Sequence, residues 1–169
     1  NSSTDLDGNG SADTDGAATY AEVEAAFTAL AGILTANDQL FVYITDHGHQ
    51  ESGWDAGVNL WNWEDLRDDQ LSDMTDDLPC PVLFAMETCY SGGFVDDITA
   101  TANRVIGAAA AYNDTSEGWW HYDPWVYYLT SAFCGYYPGA NGVNPWTLGT
   151  PVDVDGNGDN RISFREAWD

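Results

Sequence analysis

A chain of 169 residues with 44% hydrophobic and 14% aromatic side chains can bury a core and is too apolar to be a disordered acidic tail. It carries 28 Asp and Glu against four Arg and no Lys, a formal charge of −24, which repels nucleic acid and anionic membrane surfaces and excludes them as expected partners. The three cysteines Cys80, Cys89 and Cys134 are odd in number, so at least one thiol stays out of any disulfide scaffold, and no apolar run is long enough for a membrane span. Three sources of the acidity stay open: calcium ligation, ordinary surface charge, and a halophilic adaptation in which salt screens the self-repulsion.

Residues 1–18 are Asp-, Gly-, Asn- and Ser-rich and read as loop. Residues 19–36 space Val23, Ala26, Phe27, Leu30 and Ile33 at helical intervals. Residues 39–45, "QLFVYIT", form a short apolar run expected to be a buried strand. Residues 57–63 read as a strand or hairpin arm. Residues 64–78 space Leu66, Leu71, Met74 and Leu78 on one helical face. Residues 81–88, "PVLFAMET", are a second buried strand, 104–112 a third, and 124–133 a helix. Strands alternating with helices predict an α/β fold with a mainly parallel sheet.

Two of these strands end in chemically competent residues. The first runs into Asp46-His47-Gly48-His49, the second into Cys89. Open α/β sheets place their sites beyond the carboxyl ends of strands. His47, His49 and a carboxylate could form a catalytic zinc site, which needs three protein ligands and an open position. The positions after His49 are Gln50, Glu51 and Ser52, and His121 is the one further histidine, so nothing else in the chain asks for zinc. A cysteine nucleophile instead needs a nearby base and donors for an oxyanion. His47 and Cys89 supply the pair if their strands are neighbours, Gly48 lets a backbone N–H approach a carbonyl, and "CYSGGF" at 89–94 makes a Gly-rich turn that exposes the sulfur.

An apolar strand ending in "TDHG", some forty residues with a helix, and an apolar strand ending in "ETCYSGGF" together resemble the caspase-like cysteine peptidases, most closely the legumain (C13) family, over about residues 19–135. The resemblance implies a caspase-like three-layer sandwich and an endopeptidase acting on polypeptides. It makes His47 the catalytic histidine, Cys89 the nucleophile and the Gly48 amide part of the oxyanion hole. Glu87 matches a position bordering the specificity pocket, and Ser116, in "AAAAYNDTSEG", matches a pocket serine. His49 matches no catalytic position and is expected on the rim. The family's fold begins with two further strands and a helix, so the chain is expected to be a single partial domain over 1–169 that associates with a missing N-terminal segment.

Residues 155–166, "DGNGDNRISFRE", fit a twelve-residue EF-hand loop. Asp155, Asn157, Asp159 and Ser163 offer side-chain oxygens, Arg161 its carbonyl, and Glu166 the bidentate carboxylate of position 12. Asn160 replaces the usual Gly and tolerates positive φ. A second segment offers Asp5, Asp7, Asn9 and Asp13 at the matching positions but has Gly16 at position 12, with Asp15 adjacent. Calcium is therefore the expected cofactor, and an extracellular, secreted setting the expected location. The other function class is a catalytically inactive calcium-binding interaction module of the same fold, with the aromatic stretch 119–125 as its contact surface.

Overall fold

The computed structural model describes residue 5 and residues 9–118, 123–138 and 148–168, which divide into two compact units, 1–115 and 116–169. In the first unit, α1 (Tyr20–Ile33) leads to β1 (Leu40–Thr45). Then come β2 (Gly48–Gln50), β3 (Ala56–Asn59), a 3-10 turn at Trp61–Trp63, β4 (Asp65–Arg67) and α2 (Asp68–Thr75). β5 (Val82–Glu87), a 3-10 turn at Ser91–Gly93, α3 (Phe94–Ala100) and β6 (Arg104–Ala108) complete it.

The main sheet has the order β1-β5-β6, all parallel, with Leu40 opposite Val82, Thr45 opposite Glu87, and Val82 opposite Arg104. The expected α/β class with a parallel sheet is thus the one observed. β5, "VLFAME", is the central strand. Val82, Phe84, Ala85, Met86 and Glu87 are all buried on it, as a continuous apolar run predicts. β1 departs from the expected buried strand. It alternates, with Phe41 and Tyr43 52% and 41% exposed, because among the described residues it is an edge strand with one face uncovered. β2, β3 and β4 form a separate antiparallel sheet directly after His47.

Phe27, Val58, Leu66, Leu71, Leu78, Phe84, Met86, Phe94 and Ile98 form one core. Each such side chain contributes about 2 kcal/mol relative to leaving it in water. Two helical readings need correction. On α1, Val23, Phe27 and Leu30 pack inward, whereas Ala26 and Ile33 face out. Residues 64–78 are not one helix: 65–67 form β4, and Leu66 is buried opposite Val58 in the sheet. The helix starts only at Asp68, where the Gln70 side chain accepts the Arg67 N–H at 3.0 Å. Arg104 is buried at the start of β6, donating to the carbonyls of Cys80 (3.0 Å), Thr75 (2.6 Å) and Leu78 (3.2 Å), so it satisfies the loose carbonyls that follow α2.

Acidic crowding leaves a mark on this unit. Asp68 is buried, and desolvation raises its pKa even though its carboxylate accepts the amides of Ala56 (2.7 Å) and Asp69 (2.8 Å). Asp97 is raised as well, first by desolvation and then by the charges of Asp68, Asp96, Asp69 and Asp55. A carboxyl with a raised folded pKa holds its proton more tightly in the native state. Its stability contribution is complete below the unfolded pKa of about 3.9 and declines as pH rises through the folded value. Asp97→Asn should therefore gain on wild type in melting temperature as pH rises from about 4 to 7. A difference that stays flat over that range would contradict the crowding.

In the second unit α4 (Pro124–Cys134) opens with proline in its first turn and ends at Gly135, whose φ of 74° permits the left-handed cap. β7 (Tyr136–Pro138) and β8 (Leu148–Pro151) pair antiparallel, and α5 (Phe164–Trp168) ends the described chain. Tyr127 stacks on Tyr137 with ring centroids 5.5 Å apart, and Phe133 lies 6.3 Å from Phe164.

Candidate active site

β1 and β5 run parallel and end level, at Thr45 and Glu87. His47 and Cys89 each follow two residues later, so the register brings together two residues 42 positions apart in sequence. Gly48 closes the gap. A Cβ built on it would lie 2.1 Å from the Cys89 carbonyl oxygen and 3.1 Å from Thr88 Cβ. No side chain fits there, and the backbone after His47 rests directly on the backbone of Cys89.

The smaller sheet fixes the direction of the Gly48 amide. The Asn59 N–H donates to the His47 carbonyl at 2.8 Å, and the Glu51 N–H to the Asp55 carbonyl at 2.9 Å. With Gly48 opposite Val58, these bonds make that pair a non-hydrogen-bonded rung. The Gly48 N–H therefore points away from β3 and takes no part in the ladder. The His47 N–H is held by the Asp46 carboxylate at 2.6 Å.

The turn after Cys89 is packed at backbone distance. Tyr90 adopts a left-handed φ of 59°, with its N–H on the Asp114 carbonyl at 2.8 Å. Ser91 is buried, and its hydroxyl accepts the Ala110 N–H at 3.0 Å. A Cβ on Gly92 would lie 2.6 Å from the Tyr112 nitrogen, and one on Gly93 2.4 Å from the Trp54 oxygen. Phe94 is fully buried and anchors the start of α3. "SGGF" thus locks a tight turn that leaves Cys89 half-buried at its mouth, while Cys80 is buried and Cys134 exposed. Trp54 and Tyr112 stack across this turn, centroids 3.7 Å apart. Sequence reasoning missed that pair, since nothing local links two aromatics so far apart in the chain.

The remaining site residues fall as follows. Glu87 is buried at the end of β5 and accepts a hydrogen bond from the Tyr43 hydroxyl. Ser116 is half-buried at the start of the second unit. The His49 ring turns to Asn59 and Glu51, both at 3.1 Å, and lines a pocket with Trp61, Trp63 and Asp65. The metal-competent cluster it joins contains Glu51 and Asp65 and does not include His47.

The two acidic loops share one backbone pattern. The Asp155 carboxylate accepts the N–H groups of Asp159 (3.2 Å) and Asn160 (2.8 Å), four and five residues on, and Asp159 accepts that of Arg161 (2.9 Å). Asp5 likewise accepts from Asn9 (3.1 Å) and Gly10 (2.8 Å), and Asn9 from Ser11 (2.8 Å). Asn160 has a φ of 60°, the conformation expected for it. Asn157 accepts the Asp159 N–H at 2.9 Å, and Glu166 accepts the Ser163 hydroxyl at 2.7 Å, the chief cause of its lowered pKa. Asp13 is exposed. Asp7, His121 and most of the aromatic stretch 119–125 lie outside the described residues.

A parallel α/β sheet with a His-Gly turn resting on a cysteine at the next strand's end defines the caspase-like class of cysteine peptidases. Residues 27–137, about two thirds of the chain, match the Peptidase C13 family, and the chain belongs to that family of legumain-type cysteine peptidases. No curated protein matches it. The family acts on polypeptides, and no helix among the described residues is long and apolar enough to cross a membrane.

Proposed function

We propose that the protein is an endopeptidase with Cys89 as nucleophile and His47 as its acid–base partner. The observation that supports this reading is the packing of the Gly48 backbone on the backbone of Cys89, one residue after His47. The Cys89 thiol gives its proton to His47 and its sulfur bonds to the scissile carbonyl carbon, moving the carbonyl π electrons to an oxyanion received by the Gly48 N–H; collapse of that oxyanion breaks the C–N bond. His47 donates a proton to the leaving amine. It then takes one from the water that hydrolyses the thioester and frees Cys89.

Glu87 is proposed to border the pocket for the residue before the cut. Glu87 gives that pocket a negative charge, and Arg104 is held by carbonyls at the far end of β6, where it pairs with Val82. Like charge disfavours an acidic side chain there. Cleavage should follow Arg, Lys or Asn, with Asp disfavoured at neutral pH. Profiling a peptide library tests both points: no cleavage removes the enzyme reading, and preferred cleavage after Asp at pH 7 removes the pocket assignment.

Calcium is proposed as a stabilising ligand, held by Asp155, Asn157, Asp159, the Arg161 carbonyl, Ser163 and Glu166, and in the first loop by Asp5, Asp7, Asn9 and Asp13. The backbone already curls around Asp155 and Asp5, an arrangement suited to a hard cation. Such a ligand adds about 2.7 kcal/mol at a hundredfold excess over its Kd, so chelation should lower the melting temperature and Asp155→Ala should blunt the effect. An unchanged melting temperature on chelation would make both loops plain turns. Abundant free calcium and a salt-tolerant acidic surface fit a secreted protein.

A further inference from the structure

Two residues that line the pocket beside Trp61 and Trp63, together with Glu51, form a side-chain arrangement that the peptidase reaction does not use. His49, Glu51 and Asp65 come from β2, the residue after it, and β4, and their ligating atoms all lie within 4.8 Å of one another. The pairings His49–Gly57, Gly57–Arg67 and Asn59–Asp65 put all of these residues on one face of the small sheet. Gly57 makes the arrangement possible. A Cβ there would stand 2.7 Å from both Cε1 and Nε2 of His49, so the imidazole lies flat across the bare glycine and reaches towards Asp65.

The hydrogen bonds of the ring decide which nitrogen is open to an ion. The Asn59 side-chain oxygen faces Nδ1 at 3.1 Å, and a Glu51 carboxylate oxygen faces Nε2 at 3.1 Å. The Glu51 carboxylate only accepts, whereas the Asn59 amide can present its oxygen or its NH2 to the ring. With Nδ1–H given to the Asn59 oxygen, the Nε2 lone pair faces the Glu51 carboxylate and leaves a place for a cation; with Nε2–H given to Glu51, the Asn59 amide turns its NH2 to Nδ1. An oxygen accepting from one ring nitrogen, with the other nitrogen facing carboxylates, is how metal-binding histidines are oriented. Arg67, the nearby guanidinium, is committed to Asp69 through two bonds of 3.1 Å and does not fill the position.

We propose that His49 Nε2, Glu51 and Asp65 bind a divalent ion of the zinc class, with Asn59 and Gly57 orienting the imidazole and a fourth position open to the pocket. One nitrogen and two carboxylates suit zinc and its first-row neighbours better than calcium. Tetrahedral ligands about 2.1 Å from zinc stand about 3.4 Å apart, so the donors need side-chain shifts of about 1 Å to close on the ion. The pocket, about 520 Å3 and flanked by Trp61 and Trp63, gives the fourth ligand, water or a substrate group, room to enter. The ion would tie β2 to β4, and β2 begins at Gly48.

Zinc titration by calorimetry tests the site. The protein carries Cys89→Ala and Cys134→Ala to remove the accessible thiols, with calcium at saturation. One equivalent of zinc should bind. His49→Ala should abolish that binding, and Asp65→Asn should weaken it at least tenfold. Gly57→Ala removes no donor but displaces the ring, and it should weaken binding to a similar degree. Circular dichroism establishes that each variant is folded. Absence of binding at millimolar zinc would overturn the proposal and leave a proton as the bridge between His49 and Glu51. Undiminished binding in folded His49→Ala would overturn it too, by placing the zinc elsewhere.

Discussion

Cys89→Ala should reduce peptide turnover by about 10⁴-fold or more while leaving the melting temperature close to that of wild type. The size follows from the role: removing a covalent nucleophile eliminates the acyl-enzyme route and leaves only binding and oxyanion stabilisation. The mild effect on folding follows from the position. Cys89 is half-buried at a turn whose order comes from the Ser91 hydroxyl, two close-packed glycines and buried Phe94. The other two thiols are the controls. Cys80→Ala opens a small cavity in the core and costs about 1 kcal/mol of stability without touching turnover. Cys134 is exposed on α4, and its replacement should change neither. Wild-type turnover in Cys89→Ala would end the cysteine-peptidase reading.

Gly48→Ala should lower kcat/KM by about a hundredfold or more, although it adds one methyl group to a residue that takes no chemical step. The new Cβ would stand 2.1 Å from the Cys89 carbonyl oxygen, and that neighbour is backbone, which cannot swing aside. The strand ends must part by about 1 Å, a displacement that typically costs two orders of magnitude when it misplaces reacting groups. The oxyanion donor moves with them. Overpacking of this kind also destabilises by about 1–3 kcal/mol. Gly32→Ala is the matched control. Gly32 lies in α1 with nothing within 4 Å of an added Cβ, so alanine there should stabilise by about 0.5–1 kcal/mol and leave turnover unchanged. A Gly48→Ala protein with wild-type kinetics would show that the two strand ends are not in contact.

What could be read from the sequence was what depends on local pattern. β1 and β5 are short apolar runs that lead into His47 and Cys89, and the two acidic loops repeat one spacing of Asp and Asn, so neither needed knowledge of distant residues. The errors lie where pairing across the sheet overrides local period. Leu66 fits a helical spacing with Leu71 and Met74, yet its burial opposite Val58 makes 65–67 a strand. "WNW" alternates like a strand, but Asn62 and Trp63 both take positive φ and turn the chain. The helix α3 went unread because its seven residues show only Phe94 and Ile98 on the inner face. The His49 cluster depends on β2, β3 and β4 lying in register, which no single segment reveals.

The central claim is that His47 acts on Cys89. The rate at which a peptidyl acyloxymethyl ketone alkylates the protein, with the modified residue located by mass spectrometry, tests it most directly. The proposed dyad requires one adduct per chain, on Cys89, and a loss of at least tenfold in alkylation rate in His47→Ala. Equal labelling of Cys134 and Cys89, or a rate unchanged by His47→Ala, would contradict it.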